Sequence, residues 1–535
     1  MKLWRFLIKF TALFVLCCFV AISCSRSTPD VPATESGRIT IGTTATISTI
    51  DPADAYSIFA GNLLYNLGDR LYGYKLGTSE LQPQLATALP NVSSDGLTYT
   101  IPLRQGVMFH DGTPFNAKAM EFSLQRFIQN GGSPAFLLAD AVDSIKATGD
   151  HELTIKLKKP FAAFPSLLAF SGACAVSPQA YEIKEGAFKS NVFVGTGPYK
   201  LVKYGTDSLK LDAFSQYWGE QPKNRGIDVQ FFSSPANLFN AFRTGAIDVA
   251  YQGMALEQIR NLQEKATNSN WQIVERSGSG INYLTINLKS APLDRLEVRQ
   301  AIAAMMDRPL LQQRVFQGQI EPLYSLIPAT LNEQKPVFEE YGDRNAAIAK
   351  ALLAKAGYSE SNPLKVEFWY RSNLVNDQLA ALTLKAIVHK QLGQLMQLDL
   401  KSVESTTAYK NLDKGAYPMF LLDWTPDFLD SDNYIQPFME CTKGSVQTGC
   451  EEGASFSQGS YYFSDRVNKL IDKSRQEQNL DARKKLFADL QDILAKDVPF
   501  IPLWQNKDYL FVQKKVQGAT LEVTQKVPFS TMKKA

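Results

Sequence analysis

The residues able to do chemistry are few, and their spacing does not suit catalysis. The chain has 535 residues and three histidines, His110, His151 and His389. None stands in an HExxH, a Cys-x-x-Cys or a paired-ligand context, which argues against a His-built metal site or general base. Gly195-Thr-Gly197 lacks the third glycine of a dinucleotide loop, and Gly444 to Gly449 is followed by Cys450 where a phosphate loop needs Lys. Ser530 and Lys533 have SxxK spacing but lie at the chain end, where fraying rather than a preorganised nucleophile is expected. The densest functional candidate is acidic: Asp423-Trp-Thr-Pro-Asp-Phe-Leu-Asp-Ser-Asp-Asn433 follows the apolar, strand-like Met419-Phe-Leu-Leu422. It therefore occupies a loop at a strand's carboxyl end, where open α/β sheets place ligands. Asp430 and Asp432 in that loop are expected to be exposed.

The elements that must position such a loop are mixed α/β. Alternating runs such as Arg38–Gly42 and Leu153–Leu157 read as strands. Helical periodicity is expected over Ala117–Gln129, Asn345–Ala356, Asp377–Leu392, Asp465–Lys473 and Asp481–Ala495. Another helix is expected to start at Asp294, with Glu297 completing a capping box. The apolar stripes of these helices are packing surfaces. The composition, 45% hydrophobic and 20% charged, is that of a globular chain long enough for at least two cores. Lys2, Arg5 and Lys9 account for the whole net charge of +3, so the remainder is neutral and offers no footprint for nucleic acid.

Residues 1–23 read as an export signal: a basic start, an uncharged and mostly apolar run from Phe10 to Ile22, then small residues before Cys24. Ala21-Ile22-Ser23-Cys24 resembles the lipobox of bacterial lipoproteins, which implies cleavage before Cys24, a lipid on its thiol, and residues 24–37 as a flexible tether. The exported chain would be anchored on the outer face of the plasma membrane, in a periplasm or at the cell surface. Cys17 and Cys18 leave with the signal. In an oxidising compartment Cys441 and Cys450 form the natural disulfide, and Cys174 is a buried free thiol.

A set of motifs then becomes recognisable. Leu81-Gln-Pro-Gln-Leu-Ala86, Ser94-Asp-Gly-Leu-Thr-Tyr-Thr100, Phe109-His110-Asp111-Gly112, Val194-Gly-Thr-Gly-Pro-Tyr199, Gly245-Ala-Ile-Asp248, Val298-Arg-Gln-Ala301 and Ile501-Pro-Leu503 stand in family order and spacing. Residues 38–515 thereby resemble the extracellular solute-binding proteins of the peptide and nickel class, family 5, which serve ATP-binding-cassette importers. The resemblance implies a two-lobe α/β fold like the type II periplasmic binding proteins of the large peptide-binding class. Lobe one would comprise about 38–284 and 505–535, with an added subdomain at about 66–205, and lobe two about 285–504. The crossings are expected near Tyr283–Asn287 and Trp504–Lys507. His110 belongs to the folding signature rather than to a ligand site.

The resemblance also assigns roles. In dipeptide- and oligopeptide-binding relatives a matching Trp-x-x-Asp supplies the carboxylate that holds a peptide α-ammonium, which by position is Asp427, with Trp424 packing in the cleft and Asp423 shaping it. Arg371 lies near, but not at, the place of the arginine that takes the peptide carboxylate, so a surface cation is its first reading. Without a fixed carboxylate partner the cleft would favour oligopeptides over strict dipeptides. The implied partners are a peptide, permease and ATPase subunits, and a membrane reached through the lipid anchor. A monomer with no cofactor, metal or enzymatic activity is expected. The alternatives are a binder of a nickel chelate, an opine or an oligosaccharide, or a peptide-sensing lipoprotein without transport.

Overall fold

The computed structural model describes residues 37–535. The expected signal, Cys17, Cys18, the anchor Cys24 and the tether up to residue 36 lie outside the described residues. No described helix is long and apolar enough to cross a membrane.

An 11-stranded sheet carries the fold. Its order is Met396–Val403, Leu364–Arg371, Met419–Trp424, Trp271–Ile286, Phe500–Gln513, Val249–Tyr251, Arg38–Thr43, Gly226–Phe231, Ser208–Ala213 and Tyr199–Tyr204, and Ile320–Pro322 adds to Phe500–Gln513. Leu364–Arg371 and Met396–Val403 are parallel, and the helix Val375–Leu392 makes the crossover between them. Met419–Phe420 pairs in parallel with Phe368–Trp369. The run Met419–Leu422 is buried throughout, as expected of a strand covered on both faces.

Two long antiparallel strands, Trp271–Ile286 and Phe500–Gln513, span the sheet's middle, and their register breaks between Ser277 and Ile281. The break needs a glycine. A Cβ on Gly278 would lie 2.5 Å from Asp508 Oδ2 and 3.0 Å from the Asn506 carbonyl, so a side chain there would force the strands apart. The cores also change at this line. One core runs from Ile281 to Trp504 and adds Val523, whereas another gathers Ile39–Tyr251 with Leu510–Met532.

A separate four-stranded sheet, ordered Asn91–Val92, Thr98–Pro102, Glu152–Leu157 and Val142–Gly149, packs with the helix Ala117–Gln129 around its own core. His110, in the turn after Phe109, clamps that turn to the loop 195–197. Its Nε2–H meets the Gly197 carbonyl at 3.0 Å and its Nδ1 accepts the Gly195 N–H at 3.3 Å, which fixes a neutral ring. Burial pushes its pKa down to about 4, against the raising effect of the Gly197 contact.

Most helices fall where periodicity puts them: Ala117–Gln129, Ala346–Lys355 behind the Asn345 cap, Asp465–Gln476 and Leu480–Asp497. The capping box at Asp294 does not form. That helix is Leu296–Ala304, and its N-cap, Arg295, makes no side-chain cap bond. The Arg299 guanidinium instead takes the Leu293 and Asp294 carbonyls, holding them outside the helix. Cys441 and Cys450 are bonded, with Cα atoms 5.6 Å apart across the hairpin Lys443–Ser445/Gly449–Glu452. Cys174 is a buried free thiol, and burial pushes it up to about 12.

Candidate functional site

The strand Met419–Trp424 ends where Thr425 and Pro426 turn the chain, and the loop that follows enters a cavity of about 310 Å³. Thr425–Leu429 forms one wall. The opposite wall is the start of the helix Ile58–Leu67, capped by Ser57, whose Gly61 and Tyr65 face the cavity one turn apart. Ser166–Gly172, Arg70 to Tyr74 and Glu522–Lys526 close the remaining sides.

Charge pairing within the acidic loop singles out one residue. Asp430 is gripped by Arg483 through two bonds of 2.6 and 2.7 Å, and Asp432 by Arg475 through two of 2.8 and 2.9 Å. Both aspartates were expected in solvent, but the first is largely buried and the second is only 1% exposed. The reason is geometric: the helices Asp465–Gln476 and Leu480–Asp497 bring these arginines onto the loop. The loop is pinned further where the Leu429 N–H meets Tyr74 Oη at 3.1 Å and where Phe428 packs edge-on to Phe161 at 5.9 Å.

Asp427 is left without a cation. Its backbone N–H donates to Asn433 Oδ1 at 3.0 Å, and its Oδ1 accepts the Tyr56 hydroxyl at 2.5 Å. Among the described residues no Lys, Arg or His lies within ion-pair distance. Burial raises its pKa, and the Tyr56 hydrogen bond opposes that rise. Tyr56 is itself raised, by burial and then by Asp427's charge. A half-buried carboxylate bonded to one neutral donor is a site for a ligand cation.

The other expected site residues lie elsewhere. Trp424 does not line this cavity. It is the last residue of its strand, and its ring packs on Phe438 at 5.5 Å. Arg371 is not a surface cation: it is 5% exposed, its Nε is 2.9 Å from Asp377, and its other side binds Asp423 and the Tyr409 hydroxyl. Burial alone would lower its pKa, but Asp423 and Asp377 raise it. Burial lifts Asp377 to about 6 although Arg371 pulls it back. Arg371, Asp377 and Asp423 line a different cavity, of about 320 Å³, together with Asn282 and Trp504.

Tyr56, Arg70, Glu522 and Lys526 were not found from sequence. They come from stretches far from Asp427 in the chain, and no local motif marks them. Among the described residues no cluster of three or more His, Cys, Asp or Glu is placed to hold a metal.

The sequence profile of the bacterial extracellular solute-binding proteins, family 5 Middle, matches residues 80–445. The chain is 25% identical over 475 residues to heme-binding protein A of Haemophilus influenzae, covering 84% of this chain and 83% of that protein. It is 26% identical over 487 residues to the dipeptide-binding protein of Escherichia coli, covering 86% of each. Among solved structures, HbpA2 from Haemophilus parasuis superposes with a TM-score of 0.81 at 22% identity, over 93% of this chain and 100% of that one.

Proposed function

Because the chain belongs to the bacterial extracellular solute-binding proteins of family 5, two-lobe α/β binders of transported solutes rather than enzymes, we propose that it captures short peptides by their α-ammonium on Asp427 and delivers them to an ATP-binding-cassette importer. The observation that carries this is the charge pairing in the loop 423–433. Asp423, Asp430 and Asp432 each have an arginine, whereas Asp427 faces the cavity with only a tyrosine hydroxyl. The dipeptide-binding relative supports a peptide as the cation's source. For the heme-binding relative's ligand, the cavity is at the bottom of the ~300–1,000 Å³ range of small-molecule sites, and it presents the carboxylate of Asp427 to a molecule whose rim charges are themselves carboxylates.

Peptide length is the finer part of the reading. The lack of a peptide-carboxylate partner at Arg371 favours oligopeptides. A cavity of about 310 Å³ suits two or three residues better. The lobes are proposed as 38–284 with 505–535 and 285–504, with the subdomain at 66–205, closing about the two long central strands. The change of core near Ile281 and Trp504 and the register break beside Gly278 support that division. Lipidation at Cys24, a monomeric state and docking to permease and ATPase subunits complete the proposal.

The test is calorimetry with Ala-Ala-Ala and its N-acetylated form. The free peptide is expected to bind at least ~30-fold more tightly, as loss of a charged hydrogen-bond partner implies. Equal affinities would overturn the assignment of Asp427. An alanine series of two to six residues reads the length, with affinity expected to fall beyond three.

A further inference from the structure

Besides Asp427, the cavity is lined by two cations that have no ion-pair partner among the described residues. Lys526 and Arg70 both line it. Arg70 is 2% exposed; its Nη1 donates to the Tyr65 and Gly68 carbonyls at 3.3 and 2.7 Å, and its guanidinium lies 4.9 Å from the Tyr65 ring centroid. Lys526 Nζ has no hydrogen bond and no ion pair among the described residues. Its ammonium reaches the helix wall at Gly61, where a Cβ would stand 3.0 Å from Nζ.

Carboxylates are near, but each is held by neutral donors. Asp69 takes bonds from Gln84, Thr196, Tyr217 and Trp218. Asp508 takes one from Gln525 at 2.7 Å, and Glu522 takes one from the Gly77 N–H at 3.2 Å. None comes within ion-pair distance of Arg70 or Lys526, so the fold surrounds these cations with anions that balance the charge at long range yet leave the Lys526 donors free.

We propose that Lys526, backed by Arg70, is a second anchor of this cavity and binds a carboxylate of the captured peptide. The proposal rests on the reading of Asp427 as the ammonium partner, since the two together make a site for a zwitterion. Their placement fits that role. Asp427 meets the wall at Tyr56, just before the helix cap Ser57, whereas Lys526 Nζ meets it about one turn further on, at Gly61. No ion pair joins the two among the described residues, and both face the one cavity, so each is free to hold a different end of one ligand. Burial and Arg70 pull Lys526 down to about 8, with Asp508 opposing. The carboxylate could be the peptide's C-terminus or an acidic side chain, and either is held by the same charge-assisted bonds.

The experiment measures Ala-Ala-Ala, its C-terminal amide and Ala-Glu-Ala-amide against the wild-type chain and Lys526→Met. C-terminal amidation is expected to weaken wild-type binding roughly 10- to 100-fold, as loss of a charged hydrogen bond implies. Lys526→Met should weaken Ala-Ala-Ala by a similar factor and the amide less than about threefold. Recovery of affinity by Ala-Glu-Ala-amide in the wild type alone shows that an acidic side chain can take the place of the C-terminus at Lys526; no recovery confines the site to the C-terminus. Equal losses for acid and amide in Lys526→Met, or no discrimination by the wild type, overturn the proposal.

Wild-type protein supplies a second readout should the variant fold poorly. Reductive methylation of Lys526, followed by mass spectrometry, should be slowed by Ala-Ala-Ala and not by its amide, and equal protection by both counts against the site. The N-acetylated tripeptide separates the two readings: if it binds like the free one, Asp427 loses its role while the acid-to-amide ratio still decides Lys526. No binding of any of these peptides would remove both.

Discussion

Asp427→Asn isolates a single charge. The asparagine Oδ1 can still accept the Tyr56 hydroxyl, and the bond from the residue-427 N–H to Asn433 is a backbone bond that survives. Nothing else in the loop depends on the lost charge, because Asp423, Asp430 and Asp432 keep their own arginines. Removing one partner of a buried charge pair costs about 2–5 kcal/mol. Asp427 is only half-buried, so screening places the loss at the lower end, about 2–3 kcal/mol or roughly 30- to 160-fold in Kd. Calorimetry at pH 7 should show that loss for Ala-Ala-Ala and less than about threefold for N-acetyl-Ala-Ala-Ala. The empty protein should melt no lower than the wild type, since burial already disfavours the charged carboxylate. A variant that loses free and acetylated peptides equally, with its melting unchanged, would refute the pairing of Asp427 with the ammonium.

Three further outcomes are expected. Thiol labelling of the denatured, unreduced chain from Ser25 onward should find one reactive cysteine, Cys174, and three would refute the Cys441–Cys450 bond, whose loop of about ten residues contributes about 2.7 kcal/mol by chain entropy. The folded-state pKa of His110 is depressed to about 4 from its usual 6.5, so its contribution is present above pH 6.5 and is lost as pH falls towards 4, by about 1.4 kcal/mol per unit. The stability gap between wild type and His110→Gln should shrink over that window, and a gap independent of pH counts against a neutral, clamped ring. Arg371→Met should destabilise the fold by about 3–5 kcal/mol by stranding Asp377 and Asp423, while leaving Ala-Ala-Ala affinity within threefold. A loss of affinity without a loss of stability would return Arg371 to the ligand.

Much of the architecture was legible because it is local. Periodicity placed the helices Ala117–Gln129 and Asp465–Gln476, and the apolar run before Asp423 announced the strand whose end carries the loop. What local reading could not supply was pairing between distant segments. Four of the loop's residues are aspartates; the Trp424-x-x-Asp427 resemblance picks out one of them, but the residue types alone do not show which lacks a cation, because Arg371, Arg475 and Arg483 arrive from elsewhere. The same blindness made Arg371 a surface cation and Asp430 and Asp432 solvated charges. The failed cap at Asp294 has a similar cause, a tertiary contact from Arg299 that overrides a local motif.

The placement of the two anchors also gives the proposed lobes a reason to close. Asp427 stands in the segment 285–504, while Tyr56, Arg70 and Lys526 stand in the segments assigned to the other lobe. A ligand carrying an ammonium and a carboxylate therefore completes both pairs only when the lobes are together. Either charge alone would bind the open form almost as well and would shift nothing, since a ligand moves a conformational equilibrium only by its differential affinity for the two states. The Tyr56–Asp427 hydrogen bond spans the same divide without ligand, but it joins a neutral donor to a single carboxylate oxygen. It leaves Lys526 Nζ unbonded, so closure without ligand satisfies one end of the cavity, and a zwitterionic peptide satisfies both.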